Sequence, residues 1–220
     1  MQGKKLTLGL LAAMLSTGQA LATTEVTPYV GGQLGYQTTS METSFSDNDF
    51  SVSEDGLAIH GFAGGALAGV RFLTKGAGFV SLEANYGISN AEYEFGRSDI
   101  DYKESETFEA DTSYGIAMIA GSEISESARF FGRVGYQTTT YEYSYKDDDD
   151  FTGTFKVSDD EDFSGIRFGI GAEIDLNPTV AIRLDWNHTL YSSETFESEG
   201  FEFELEPTDS LVQLGLIANF

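Results

Sequence analysis

The sequence predicts an all-β protein, an eight-stranded antiparallel up-and-down transmembrane β-barrel with short periplasmic turns and long extracellular loops. Three observations predict this fold. Strand-like segments recur at a regular pitch, the connections between them alternate between short and long, and apolar residues alternate with polar ones inside the segments. Helical periodicity is weak along the 220 residues, and glycines inside the apolar segments disfavour helices.

The first 22 residues have the pattern of a cleaved signal peptide. Lys4 and Lys5 precede a short apolar run that ends at Leu15, and a membrane helix needs about 20 residues. Ala20-Leu21-Ala22 then offers the small residues that signal peptidases recognise. We therefore predict a signal peptide at residues 1–22 and an outer-membrane β-barrel at residues 23–220, beginning near Thr23.

Eight later segments are each long enough for the 9–11 residues of a tilted membrane strand. Their side chains alternate between the two faces of the strand, as a barrel wall requires. The predicted strands are Thr27–Thr39, Leu57–Phe72, Phe79–Phe95, Thr112–Ile124, Phe130–Tyr145, Phe163–Leu176, Val180–Tyr191 and Ser210–Phe220.

The connections between these strands fall into two classes. Three are short, and one of them contains a turn-forming Asn-Pro pair. The short ones are Leu73–Gly78, Ser125–Arg129 and Asn177–Thr179. With the N-terminus in the periplasm, the long ones lie outside the cell: Ser40–Gly56, Gly96–Asp111, Lys146–Asp162 and Ser192–Asp209.

The charge follows the same division. The chain has 36 acidic and 12 basic residues, which excludes nucleic acid as a partner because phosphate binding requires Lys and Arg. The four long segments hold 26 of the acidic residues, so the acidity belongs to the extracellular rim. The 17 Phe, 11 Tyr and one Trp argue against disorder, and no cysteine is present to form a disulfide.

The alternation within strands predicts which face meets lipid. In the seventh predicted strand, Val180, Ile182, Leu184 and Trp186 alternate with Ala181, Arg183, Asp185 and Asn187. A soluble barrel would turn the apolar face inward. The apolar faces here lack the large, varied side chains that fill an eight-stranded interior, and charged faces recur. We therefore expect the apolar faces to point outward to lipid.

Two sets of residues follow from this assignment. Aromatic side chains on the strand faces that we assign to lipid predict two belts, one at each membrane interface. The upper belt is Tyr36, Tyr86, Tyr136 and Trp186, and the lower belt is Phe72, Phe130 and Phe220. Charged side chains on the opposite faces, which point into the lumen, predict a salt-bridged plug, with an ion path as the alternative. They are Arg71, Glu83, Glu123, Arg133, Arg167, Glu173, Arg183 and Asp185.

The chain ends in Phe220 after apolar residues at every second position, and this pattern resembles the signal read by the outer-membrane assembly machinery. With the signal peptide and the eight-strand layout, the sequence resembles the small outer-membrane barrels related to OmpX and the OmpA membrane domain. The resemblance implies a monomeric barrel in the outer membrane of a Gram-negative bacterium, in contact with lipid and lipopolysaccharide. Strands that continue past the upper belt, such as Tyr141–Tyr145 and Phe201–Glu206, resemble the protruding sheet of OmpX-like proteins, which serves surface contacts.

The favoured function is a structural and surface-interaction barrel with a plugged lumen, its acidic loops serving adhesion, contact with a host or environment, or shielding. A narrow porin-like channel for small solutes or ions is the alternative. The acidic runs Asp147–Asp150 and Asp159–Asp162 suggest a surface ligand or divalent cations, although a solvated acidic surface explains them too.

A lipid A-modifying enzyme is the least favoured function. His188 has Ser192 and Ser193 displaced from the His-x-Ser spacing of the deacylase type, and no acid is placed to orient its ring. The sequence therefore predicts no enzyme activity, no catalytic residue, no cofactor and no dedicated metal site.

Overall fold

The computed structural model describes residues 25–47, 50–74, 76–99, 102–149, 153–198 and 201–220. The predicted signal peptide lies outside these residues and stays a prediction. The described residues form nine strands and no helix. In chain order they are β1 Glu25–Asp47, β2 Phe50–Leu73, β3 Gly78–Asp99, β4 Tyr102–Ser125, β5 Ala128–Asp149, β6 Gly153–Asn177, β7 Val180–Tyr191, β8 Glu194–Ser198 and β9 Phe201–Asn219.

Each strand pairs antiparallel with its neighbour, and β1 pairs with β9 from Tyr29↔Asn219 to Ser46↔Glu202, so the sheet closes on itself. β7 and β8 both pair with β9, one after the other along its length, and together they form one wall. The result is an eight-stranded barrel, and the predicted fold class is confirmed. Within the described part of the chain, no helix has the length and hydrophobicity to cross a membrane.

Side chains of successive residues point alternately inward and outward. Leu184 is 54 % exposed on the outer face, whereas its neighbours Arg183 and Asp185 are 1 % and 2 % exposed inside the barrel. The same contrast recurs around the wall, where Leu34, Phe62, Ile116 and Leu214 are exposed outside. The expectation that the apolar faces point outward is therefore confirmed.

The periplasmic connections are tight turns. Between β6 and β7, the Asn177 side-chain oxygen accepts hydrogen bonds from the backbone N–H groups of Thr179 and Val180 at 2.9 Å. Between β2 and β3, Gly76 has a φ of 135°, a conformation that disfavours side chains. Arg129, which we predicted in a turn, instead belongs to β5 and faces the lumen.

Much of each predicted long loop continues the flanking strands. β1 and β2 pair up to Asp47↔Phe50, β3 and β4 up to Asp99↔Tyr102, and β5 and β6 up to Asp149↔Gly153. Continued pairing satisfies backbone groups that an open loop would leave to water. Our loop boundaries were therefore too wide, while the continuation at Tyr141–Tyr145 and Phe201–Glu206 is confirmed.

Candidate functional site

The candidate site is the barrel lumen, where buried charges from β2, β3, β5, β6 and β7 converge. Each charged side chain comes from an inward-facing position. The strand register places these side chains at similar heights in the barrel. Glycines on the same faces make room for them. Side chains of the predicted network that are buried inside are Arg71, Glu83, Arg133, Arg167, Glu173, Arg183 and Asp185.

Glu173 is the centre of the lower half of this network. Arg71 donates to both of its carboxylate oxygens, at 2.9 and 2.7 Å. Arg183 donates to the same carboxylate from Nε at 2.8 Å and from Nη2 at 2.6 Å. Two guanidinium groups therefore share one carboxylate, which satisfies it with strong charge-assisted hydrogen bonds.

Glu83 on β3 occupies the corresponding position in the upper half. It accepts hydrogen bonds from Arg133 Nη2 at 2.9 Å, from the Tyr29 hydroxyl at 2.9 Å and from Arg183 Nη1. Arg183 thus joins Glu83 to Glu173, and the ion pairs cross the barrel interior. Buried charges require such partners, because a lone charge away from water costs several kcal/mol, roughly.

Aromatic rings pack against the guanidinium groups. The Arg183 guanidinium carbon lies 5.4 Å from the Tyr29 ring centroid and 5.3 Å from that of Phe131. The Arg71 group lies 5.2 Å from the Tyr29 ring and 5.1 Å from the Phe79 ring. These distances are within the range of cation–π attraction, so the rings fill space and hold the cations.

Glu123 does not join the network. It lies exposed near the end of β4, where a register shift between Glu123 and Ser125 precedes the turn. Arg129 and Asp175, which we did not predict, make a rim ion pair, and Arg129 Nη1 also lies 3.5 Å from Glu173. Both residues alternate in step with the other lumen-facing residues of their strands, and this pattern could have revealed them. We overlooked it because we had placed Arg129 in a turn.

The upper lumen contains a second polar cluster that the sequence did not reveal. Asp209 accepts hydrogen bonds from Thr39 at 2.5 Å, Tyr191 at 2.6 Å, Tyr141 at 3.0 Å and Gln37 at 3.2 Å. These residues come from four different strands. Only the closed barrel brings them together, and sequence spacing carries no signal for that.

This cluster lies above the upper aromatic belt. At its height several outward side chains are polar, since Thr38, Ser40, Thr208 and Ser210 flank Thr39 and Asp209. Burial raises the pKa of the Asp209 carboxyl above its usual value, and the four hydrogen bonds oppose this shift without cancelling it. Apolar side chains pack together in the lumen at this height: Met41, Ile59, Ala91, Ala110, Tyr141, Phe163 and Tyr191.

A cavity of about 30 Å³ lies between the two polar clusters. Arg167, Asp209 and the exposed Asp111 line it, and most of the other lining side chains are neutral and polar. Asp185, beneath, approaches Arg133 at 3.6 Å. The cavity has room for a species of about the size of one or two water molecules.

The predicted belt residues all lie on the outer face. The lower ones are Phe72, Phe130 and Phe220, of which Phe72 is half-buried. Near the upper belt, the Tyr36 ring packs edge-on against Phe62 at 5.6 Å, and Trp186 against Phe168 at 6.4 Å. The upper belt residues Tyr36, Tyr86, Tyr136 and Trp186 are all exposed.

His188 has a different partner from the serines we considered. Its Nδ1 lies 2.9 Å from the Ser210 hydroxyl, which is directly opposite on β9, and its ring stacks on Trp186. No carboxylate among the described residues hydrogen-bonds this ring. The pair therefore has the geometry of a cross-strand contact at the membrane interface.

The acidic runs are described only in part. Asp150 and the side chains of Asp147–Asp149 lie outside the described part of the chain. Asp159 to Asp162 follow on β6, where Asp162 accepts a hydrogen bond from Thr140 at 2.6 Å. No set of three or more His, Cys, Asp or Glu residues in the described chain is arranged to hold a metal ion.

The sequence from residue 8 to residue 220 matches the family described as outer membrane protein beta-barrel domain. No curated protein matches the chain. Among solved structures, a major outer membrane protein of Thermus thermophilus is similar, with a TM-score of 0.52 and 12% identity over 84% of this chain and 99% of that one.

Two further structures are similar at lower scores. OprG of Pseudomonas aeruginosa has a TM-score of 0.46 and 8% identity, over 87% of this chain and 95% of its own. Ail, the attachment invasion locus protein of Yersinia pestis, has a TM-score of 0.36 and 12% identity, over 86% and 99%. The closed barrel, its apolar outer face and the match over residues 8–220 show that the chain belongs to the outer-membrane β-barrel family and lies in the outer membrane of a Gram-negative bacterium.

Proposed function

We propose that this protein is a structural and surface-interaction barrel with a plugged lumen and no enzymatic activity. The observation that carries the proposal is the ion-pair network through Arg71, Glu173, Arg183, Glu83 and Arg133. It crosses the interior with five large side chains, and each has a partner of opposite charge. The barrel works as a monomer surrounded by lipid and lipopolysaccharide, after insertion by the assembly machinery.

A second closure supports the plug. The apolar cluster that includes Met41, Ile59 and Phe163 lies at the extracellular end of the lumen, around and above the hydrogen-bonded Asp209. An ion passing through would have to cross both an apolar layer and a layer of paired charges. Both crossings are costly, because desolvation in a narrow interior is compensated poorly.

The protruding strands supply the interaction surface. β2 pairs with β3 only as far as His60↔Glu92, and β6 pairs with β7 only as far as Gly165↔Tyr191. Above these points the described strands form two separate sheets, one with β1, β2, β8 and β9, the other with β3 to β6. Unpaired strand edges of this kind can accept a strand from another chain.

The second sheet carries a row of carboxylates. Glu92, Glu109, Glu142 and Asp160 lie directly opposite one another on β3, β4, β5 and β6. Burial and the neighbouring Glu92 and Glu142 raise the pKa of Glu109. Like charges directly opposite destabilise a sheet, so a positively charged surface ligand or divalent cations would relieve this repulsion.

Two experiments test the proposal. The purified protein in planar bilayers should give little or no steady conductance. In nanodiscs, it should bind a lysine-rich peptide, and the double variant Glu109→Gln/Glu142→Gln should bind it less. Glu126→Gln, at the exposed periplasmic turn between β4 and β5, is the matched control and should bind as the unmodified protein does. Equal binding by all three proteins would refute the charged surface.

The narrow pore is the second candidate, because the cavity of about 30 Å³ in the upper lumen is the kind of space a conduction path would use. A stable conductance in the unmodified protein would favour the pore and overturn the plug. The peptide-binding experiment is independent of this outcome, since the carboxylates of Glu109 and Glu142 lie on the outer face of the sheet and not in the lumen.

A further inference from the structure

Arg167 is bonded differently from the other buried arginines. Arg71, Arg129, Arg133 and Arg183 each lie within 4.0 Å of a carboxylate oxygen. In the described chain, Arg167 makes no such ion pair. Its Nη1 donates to the amide oxygen of Gln137 at 2.7 Å, and its Nη2 is buried without a hydrogen-bond partner.

No carboxylate among the described residues comes within 4.0 Å of the Arg167 guanidinium, although Glu83 and Asp185 act on its charge from a greater distance. Arg167 is 5 % exposed, and it lines the cavity of about 30 Å³. Asp111 and Asp209 line the same cavity. Asp111 is exposed to solvent, and four donors already occupy the two oxygens of Asp209. Because a buried unpaired cation is costly, the structure leaves a positive charge and an adjoining space that an anion would stabilise.

We propose that the cavity beside Arg167 is a binding site for a monatomic anion, with chloride as the physiological occupant. The guanidinium Nη2 supplies the charge-assisted hydrogen bond. Neutral side chains around the cavity complete the coordination, among them Asn187 and Thr189. Their amide and hydroxyl groups can donate hydrogen bonds to an anion.

The size of the cavity decides the class of ligand. A halide ion is comparable in size to a water molecule and fits a space of about 30 Å³. Sulfate, phosphate and organic carboxylates are larger, and we expect the site to prefer a halide over them. Sulfate therefore serves as the control anion.

Crystals grown in bromide test the location directly. We expect an anomalous peak within hydrogen-bond distance of Arg167 Nη2. Ordered water at this position without an anomalous peak would overturn the proposal, because the cavity would then be hydrated rather than occupied by an anion.

Refolding equilibria in detergent, at constant ionic strength with bromide replacing sulfate, test the affinity. Above the dissociation constant, one site raises the folding equilibrium constant about tenfold per tenfold rise in bromide. Arg167→Gln should lose this dependence. Arg129→Gln removes a paired arginine at the periplasmic rim and should keep it.

If Arg167→Gln does not fold, the unmodified protein alone still tests the site. A folding constant that does not change between bromide and sulfate would refute the site without any variant. The same result in Arg129→Gln and the unmodified protein, each with a slope near one, would support it.

Discussion

Arg183 lies directly opposite Glu173 in the β6–β7 register, and it donates to that carboxylate from Nε at 2.8 Å and from Nη2 at 2.6 Å. Its remaining nitrogen, Nη1, reaches across the lumen to Glu83 on β3. One side chain therefore satisfies two buried carboxylates on different walls. Removing it leaves both with fewer donors, whereas removing an exposed carboxylate leaves no buried charge unpaired.

Arg183→Ala should lower the free energy of unfolding by about 3–5 kcal/mol, the cost of breaking a buried ion pair by removing one partner. Refolding titrations in urea with lipid vesicles measure this quantity. Asp159→Asn changes an exposed carboxylate and should shift it by less than about 0.5 kcal/mol. Equal effects of the two substitutions would mean that water solvates the lumen charges and that they do not close the lumen.

The outer face should reject charge. Leu184→Arg places a guanidinium on a side chain position that points to lipid, and we expect a loss of about 2–4 kcal/mol near the bilayer midplane. The same refolding titration measures it. Ser192→Arg introduces the same charge at an exposed position above β7, where water hydrates it, and should be nearly neutral.

Leu184→Arg also tests which way the faces point. Ser81→Leu places an apolar side chain at a buried lumen position. If Leu184→Arg and Ser81→Leu both left the unfolding free energy unchanged, the two faces would not differ in the membrane. The exposure of Leu184 beside buried Arg183 argues for the opposite result.

The sequence predicted the strands, their order and their faces because each depends on local alternation. The period of two that separates Leu184 from Arg183 can be read from neighbouring residues, and so can the Asn-Pro turn at Asn177. The length of the strands beyond the membrane was harder to predict. The backbone pairing there continues through polar residues, whose composition resembles that of loops.

The contacts inside the lumen could be predicted only as a set. Parity identified Arg71, Glu83 and Arg183 as inward residues, but not which carboxylate each arginine contacts, because that depends on barrel closure and on side-chain reach. The Asp209 cluster was missed for the same reason. Thr39 and Asp209 are 170 positions apart in the chain, and only the β1–β9 pairing places them opposite each other.

Glycines on the inner face should be irreplaceable where the wall approaches another strand closely. In Gly135→Ala, the new methyl group would clash with the Ile116 carbonyl oxygen, so we expect a loss of about 1–3 kcal/mol from overpacking. Gly132→Ala on the same strand is the matched control, since the nearest atom to its methyl group is the Gly169 carbonyl oxygen at 3.8 Å. Equal unfolding free energies for the two variants would contradict this account.

The stability of the barrel should depend on pH through Asp209. Burial raises the pKa of Asp209, so within a window the folded state holds a proton that the unfolded state has released. The contribution of Asp209 to stability is therefore greatest below its ordinary pKa of 3.8, and it falls as the pH rises through the folded-state pKa. Asp209→Asn cannot ionise and removes this dependence. The difference in unfolding free energy, variant minus unmodified, should therefore increase with pH across the window and then level off. Urea titrations from pH 3 upward, about half a unit apart, measure this difference, and Asp159→Asn, at an exposed position, is the control variant. A flat or decreasing difference for Asp209→Asn would show that the hydrogen bonds from Thr39 and Tyr191 outweigh burial.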